Sequence, residues 1–387
     1  LGTLFAFLGR LVSSADPVAA VNMMSVVTGA LAMVPLYLFV RELLDEPTAF
    51  YAALIYSLSP LALANSAYGN SHMPCLLFFF WGAYLLVLYK KTFRLEKLFA
   101  AGVFFGLAAA ARIQDVVPMV IPMTVLFFQE NIRPEASGEK EPLCFAHKIL
   151  HGALLLTTAG MVTVLFYAPL LLEKAHSLAR QPWPDFFHYE LGETFRGLLP
   201  AGLLKHSWRY LLVIFSLPGL CLSAAGLFLL FKSRRKIFYF LFLWALAPLW
   251  FFSMFFILVP RFLLLGLTAL YISLAFLFCQ LINSYRRFRA LLIAGLLAVC
   301  WIPLARVYPV LFLRHRLALT PDYARWVAAR TEPDARIIAA DFNRFISFYG
   351  NRAPLGRPAG YKPYGRKEFL EFKREVDRLL EQDIPVY

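Results

Sequence analysis

Apolar residues dominate long stretches of this chain on every side of a helical wheel. They do not form the single stripe of a helix resting on a soluble core. A helix needs roughly 20 apolar residues to cross a bilayer. The runs predict ten spans, at 18–40, 49–64, 73–89, 98–111, 114–128, 149–172, 209–231, 237–258, 262–283 and 289–308. The pair 98–111 and 114–128 reads either as two short spans or as one re-entrant hairpin, broken at Arg112-Ile113-Gln114-Asp115. Lone prolines at 35, 118, 122, 169, 218, 248 and 303 fit such helices, because neighbouring helices can satisfy the freed carbonyls.

After about residue 309 the pattern changes. Residues 309–387 hold fourteen Lys or Arg and ten Asp or Glu. Thr320-Pro321-Asp322 reads as a helix start, with threonine as N-cap and proline at the first helical position. Ala324, Val327 and Ala328, beside Trp326, give that helix an apolar face. Residues 335–340 predict a short buried strand ending at Asp341-Phe342-Asn343. Residues 366–382 predict a charged amphipathic helix with Leu370, Val376, Leu379 and Leu380 inward. The expected fold is an all-α polytopic membrane protein with a small C-terminal extracytoplasmic α/β domain. Its two domains would be 1–308, including an external loop at 173–208, and 309–387. The closing Ile384-Pro385-Val386-Tyr387 reads as a strand cut short.

Composition agrees with lipid as the solvent. Of the 387 residues, 60% are hydrophobic and only 16% charged, against about a quarter charged in soluble domains. This excludes a disordered chain and an ordinary soluble enzyme. A net charge of +14 would otherwise point to nucleic acid, but here the loops account for it. Fifteen Lys or Arg lie in five loops on one side: Arg41; Lys90, Lys91, Arg94 and Lys97; Arg133, Lys140 and Lys148; Lys232 and Arg234 to Lys236; Arg286, Arg287 and Arg289. The short loops opposite carry two, Arg112 and Arg261. The positive-inside rule places the basic side in the cytoplasm. Both ends, and 173–208, then lie outside a plasma or inner membrane. No nucleic-acid partner is expected. Five cysteines, at 75, 144, 221, 279 and 300, show no metal or disulfide spacing.

Three short external sites carry candidate chemistry. The turn Asn65 to Pro74 contains Tyr68, Asn70 and His72. His72 reads either as a satisfied interfacial histidine or as a metal ligand, base or acceptor contact. Arg112 and Asp115 form a charged pair between weak apolar runs, and such groups at membrane depth are functional candidates. The other reading is a helix-end ion pair that reaches the interface. Arg261 stands alone on the side that disfavours positive charge, where it suits a lipid phosphate or anchors the helix. In the loop 173–208, Trp183 and Glu190 suit a sugar surface or an interfacial aromatic belt. No phosphate-cradling glycine loop, nucleophile elbow or zinc-protease motif occurs.

Several stretches, in order, resemble the C-type (GT-C) integral-membrane glycosyltransferases. That group includes the dolichyl-phosphate-mannose–protein mannosyltransferases and the lipid A aminoarabinose transferases. The stretches are Pro35–Arg41, Ala49–Ala53, Ser59-Pro60, Gly106–Arg112, Ser216-Leu217-Pro218 with Ala225-Gly226-Leu227, Pro260–Leu264, Tyr323–Val327 and Phe348–Arg352. The resemblance implies a polyprenyl-phosphate sugar donor, a membrane-lipid environment and transfer to an external acceptor with inversion. It puts the main catalytic carboxylate in a first external loop, expected upstream of Leu1, so 1–387 alone is expected to be inactive. His72 and Asp115 are the catalytic candidates within the chain. Arg261 and Arg112 are candidates for the donor phosphate. Asn70, Tyr68, Glu190 and Trp183 are candidates for acceptor or sugar. His72 stands where the family often has a second acidic residue. No cofactor is therefore implied with certainty, and a divalent metal remains open.

A transporter or flippase would instead show inverted repeats and charges deep within spans, and neither is seen. A non-catalytic binding or assembly protein is a third class. The charge pattern makes one direct prediction. A cysteine introduced at Ser347 is expected to react with an impermeant maleimide on intact cells. Protection until the membrane is permeabilised would reverse the whole topology.

Overall fold

In a computed structural model of the protein, the described residues are 17–67, 70–129, 145–178, 208–253, 260–316, 319–338, 351, 353–354 and 366–386. The chain divides into two compact units, residues 1–307 and 308–387.

The first unit is helical. α1 (Pro17–Leu31) and α2 (Met33–Leu43) form one span. α3 (Glu46–Leu58) starts where Asp45 accepts the Thr48 N–H at 2.9 Å. α4 (Pro60–Ser66) is bent 60° from α3, because Ser59-Pro60 stops one helix and caps the next. Then follow α5 (His72–Thr92), α6 (Leu95–Val116), a 3₁₀ turn at 117–119 and α7 (Val120–Phe128). α8 (Phe145–Leu178) and α9 (Trp208–Ser233) precede α10 (Arg235–Ser253). A 3₁₀ turn, Pro260–Leu263, leads into α11 (Leu264–Ser284) and then α12 (Arg289–Arg316).

The expected ten spans reduce to eight helices long and apolar enough to cross a membrane, or nine counting the bent α3–α4 pair, among the described residues. With the bent pair counted for the expected 49–64 span, the remaining difference lies in 98–128. Helical structure runs almost continuously from Leu95 to Phe128, broken at Arg112, which has φ −158° and ψ 88°. Yet Asp115 meets His72 at the start of α5, whereas the carbonyls of Leu126 and Gln129 accept from Lys90 near its end. The chain therefore doubles back, and 117–128 is a return arm too short to be a span of its own. The helix following 149 also extends beyond the expected 172, to Leu178.

α11 is buried along nearly its whole length, while α8 and α12 turn Leu150, Leu165, Leu291 and Trp301 outward. Trp244 of α10 is fully buried, donates to the Leu265 carbonyl at 2.8 Å and packs on Phe39, Phe79 and Phe240. Helices in lipid gain little from apolar burial against one another, so close backbone approach matters more. Gly102 and Gly106, one turn apart on α6, let α8 approach closely. Gly226 does the same between α9 and α11, where an added Cβ would lie 2.0 Å from the Ser273 carbonyl oxygen.

Four of the five basic loops meet at one end of the bundle. Lys91 pairs with Glu42 at 2.5 Å, Tyr89 bonds His151, Gln129 donates to the Lys236 carbonyl, and Arg234 donates to the Leu44 carbonyl. Cys75, Cys279 and Cys300 are buried, and Cys221 is exposed on the helix surface.

In the second unit α13 (Leu319–Ala328) buries Ala324 and Val327 against Ala335 and Ile337. The helix already includes Thr320, so that residue is not its N-cap; proline needs only to fall within the first turn. Trp326 faces outward between Tyr323 and Arg330. The expected strand shrinks to β1 (Arg336–Ile337), which pairs in parallel with β2 (Ala353–Pro354), and Arg336 also bridges Val386. Residues 339–343 lie outside the described residues. α14 (Arg366–Glu381) buries Leu379, whereas Leu380, expected inward, is exposed. One turn presents only a narrow stripe, and Leu380 falls 100° from Leu379.

The α9–α11 crossing yields a sharp test. Gly226→Ala forces a methyl into a backbone carbonyl that no rotamer change can move, and overpacking of this kind costs about 1–3 kcal/mol. A lower apparent Tm in detergent is expected, while Gly295→Ala, with nothing within 4 Å of its added Cβ, should leave it unchanged.

Candidate functional site

The end of the bundle opposite the basic loops gathers the polar residues of α1, α4, α5 and α6. Its frame is a chain of short-range hydrogen bonds. Asn65, at the end of α4, donates to the Leu61 carbonyl at 2.8 Å and accepts from Asn70 Nδ2 at 3.1 Å. Ser25 of α1 donates its hydroxyl to the Asn70 carbonyl, and the Asn70 N–H donates to the Ser25 hydroxyl oxygen, both at 3.0 Å. Asn70 in turn accepts the His72 N–H on Oδ1 at 3.0 Å. A side chain two residues upstream thus satisfies one of the free N–H groups at the start of α5. Pro74 sits within this first turn, where its missing N–H costs nothing.

On that frame lies a buried charged cluster. His72 Nδ1 is 2.8 Å from Asp115 Oδ2, and Arg112 Nε donates to the same oxygen at 2.9 Å. Arg112 also reaches Ser71 Oγ at 3.4 Å and Gln114 Oε1 at 3.3 Å. The break in α6 at Arg112 frees its side chain to fold back onto Asp115, three residues ahead. His72 is 2% exposed and Asp115 4%. His72 Nε2 and Asp115 Oδ1 are buried with no hydrogen-bond partner among the described residues.

Phe262 joins this cluster to the late turn. Its ring centroid lies 5.9 Å from that of His72, 5.3 Å from the Arg112 guanidinium carbon and 5.7 Å from that of Arg261. Two guanidiniums therefore face one aromatic ring, an arrangement worth about 0.5–2 kcal/mol per cation. Phe252 stacks on Phe262 at 5.2 Å and fixes the ring. Arg261 itself is exposed, whereas Arg112 is mostly buried.

Of the eight residues the sequence proposed, the structure brings five together: Asn70, His72, Arg112, Asp115 and Arg261. Tyr68, Trp183 and Glu190 lie outside the described residues. Phe262 and Ser25 were missed. Phe262 is adjacent to Arg261, but nothing in its own surroundings marks it; Ser25 is one small polar residue within an apolar run. A divalent metal finds no ready set here. No three His, Cys, Asp or Glu side chains come together among the described residues, and a guanidinium already sits on the one shared carboxylate oxygen.

Residues 4–156 match the family described as dolichyl-phosphate-mannose-protein mannosyltransferase. No curated protein sequence matches the chain. Among solved structures, apo ArnT from Cupriavidus metallidurans is similar at TM-score 0.59 and 15% identity, over 100% of this chain and 78% of that one. The fold is that of the GT-C glycosyltransferases. The Archaeoglobus fulgidus oligosaccharyltransferase, in its apo form, matches the same fold at TM-score 0.57 and 16% identity, over 92% of this chain and 56% of that one. The same organism's AglB, in complex with an inhibitory peptide and a dolichol-phosphate, matches at TM-score 0.54 and 17% identity, over 92% and 55%. The chain thus spans about half the length of the oligosaccharyltransferases it resembles. In this GT-C bundle, the buried cluster lies at the end away from the basic loops.

The cluster's energetics can be measured directly. Removing one partner of a buried ion pair costs about 3–5 kcal/mol, because the other charge is left unpaired. Asp115→Ala is therefore expected to lower the apparent Tm in detergent strongly. Asp115→Ala with Arg112→Met should lose less than the two single losses added, with a coupling of about 0.5–3 kcal/mol. Strict additivity would mean the pair is not formed.

Proposed function

We propose that this chain belongs to an enzyme that transfers a sugar, of hexose type, from a polyprenyl phosphate to an acceptor hydroxyl at the extracytoplasmic face. The observation that carries this reading is the convergence of Arg112 and Arg261 on Phe262, beside a buried His–Asp pair, at the end of a GT-C bundle opposite the basic loops. Those loops, through the positive-inside rule, support a cytoplasmic position for the other end. The small tail unit, 309–387, is then an extracytoplasmic α/β domain, and the membrane is the plasma or inner membrane. The dolichol-phosphate in the AglB complex, and the mannosyltransferase family that residues 4–156 match, support a lipid-phosphate donor here.

The chemistry asks for two things. The acceptor oxygen must lose its proton to a base as it attacks the anomeric carbon. The phosphate oxygen must leave with the electron pair of the broken carbon–oxygen bond. Negative charge then accumulates on the lipid phosphate, where fixed cations have their largest effect. Arg261, exposed at the headgroup layer, can offer a two-pronged contact to that phosphate, and Arg112 lies behind it. Trp183, Glu190 and Tyr68 are proposed for the acceptor side, in the external connections that the sequence assigns to it.

A charge-assisted contact of this kind contributes about 1.5–3 kcal/mol. Arg261→Ala in the full-length protein is expected to lower kcat/KM for a polyprenyl-phosphate sugar by roughly ten- to hundredfold, at about 1.4 kcal/mol per decade. Arg261→Lys should restore part, since lysine keeps the charge but lacks the fork. Unchanged kcat/KM in Arg261→Ala would remove the residue from the donor site and make it a helix anchor.

A further inference from the structure

We propose that His72 Nε2 and Asp115 Oδ1 form a two-acceptor subsite for hydroxyl groups of a neutral sugar. This deepens the transferase reading and rests on it for the identity of the lipid carrier.

The proton positions follow from the network. Arg112 Nε–H donates to Asp115 Oδ2, so that oxygen is an acceptor. His72 Nδ1, 2.8 Å from the same oxygen, must then be the atom that carries the ring hydrogen. In the neutral ring Nε2 is left as a bare lone pair. Asp115 therefore acts as a positioning residue that selects the His72 tautomer. Both remaining polar atoms of the pair, Nε2 and Oδ1, are buried and unpartnered among the described residues. Both are acceptors, and buried acceptors without donors are rare in folded proteins. The missing complement is a group that brings hydrogens.

The surroundings narrow that group. An ammonium would also bring hydrogens, but Arg112 and Arg261 both lie against the Phe262 ring that flanks His72. Two fixed positive charges against the single Asp115 carboxylate leave the subsite net positive, which disfavours a third positive charge on the ligand. A neutral hydroxyl suffers no such penalty. A site built to hydrogen-bond a hydroxyl rejects analogues lacking it by up to about 10⁴-fold. The pair therefore separates neutral sugars from deoxy and amino sugars on the same lipid phosphate.

The test uses the full-length protein in nanodiscs, labelled with ¹⁵N-histidine, with the His72 signals identified by their loss in His72→Gln. The expected free state is the Nδ1-protonated tautomer, and Asp115→Asn should shift that tautomer balance. Undecaprenyl-phosphate mannose should move the Nε2 resonance toward its hydrogen-bonded position, while undecaprenyl phosphate alone should not. The undecaprenyl phosphate of 4-amino-4-deoxyarabinose should bind about tenfold or more weakly. An Nε2-protonated free state, an equal response to the sugar-free lipid, or equal affinity for the amino sugar would each overturn the subsite. Turnover is measured separately. An Nε2 response without sugar transfer would overturn the transferase reading and leave the subsite standing. Transfer without an Nε2 response would do the reverse.

Discussion

A carboxylate removed from water has to be held by donors, and Asp115 imposes that condition on this end of the bundle. Its Oδ2 takes one donor from three residues back and another from 43 residues back. The first requires α6 to break at Arg112, so that the guanidinium can turn onto its own helix. The second requires α5 and α6 to run antiparallel in one register, with His72 opposite Asp115. His72 in turn depends on Asn70 for its backbone N–H, and Asn70 depends on Ser25 of α1. One buried charge thereby fixes the relative positions of three helices whose apolar faces would tolerate sliding.

The reversal after α6 is pinned at its other end by a cation as well. Lys90 donates to the carbonyls of Leu126 and Gln129, which have no partner within α7 because the helix ends there. A lysine at a helix C-terminus also meets the negative end of the helix dipole. The return arm is thus held at both ends, by Asp115 beside the start of α5 and by Lys90 near its end.

Much of this was legible in the sequence, for physical reasons that differ from element to element. Span positions could be read because lipid leaves a long apolar signature. The grouping of the basic loops could be read because charge asymmetry records which end is which. The break at Arg112–Asp115 showed as charge inside an apolar run. The span count could not be read, since a twelve-residue return arm and a full span have the same apolar composition. The pairing of His72 with Asp115 was also out of reach, because it depends on the register between α5 and α6. Phe262 illustrates the same limit: one phenylalanine of 38 carries no mark of two arginines converging on it. In the tail, Leu380 looked inward because it is apolar, but it falls 100° from the buried Leu379 and is exposed.

The graded burial of the cluster bears on how a lipid-linked sugar would sit. Arg261 is exposed, Arg112 keeps 15% of its side chain accessible, and His72 keeps 2%. A phosphate is costly to strip of water and needs full positive charges at the point where it loses them. Such charges are available at the rim. Neutral hydroxyls need only hydrogen bonds and tolerate a drier setting, provided that each finds a partner. The acceptors of His72 and Asp115 are the buried members of the series. The two ends of this gradient, full cations at the rim and buried acceptors inside, thus match the charged phosphate and the neutral hydroxyls of one lipid-linked sugar. An apolar bundle end without function would have no reason to keep its acceptors unpaired at the dry end of such a gradient.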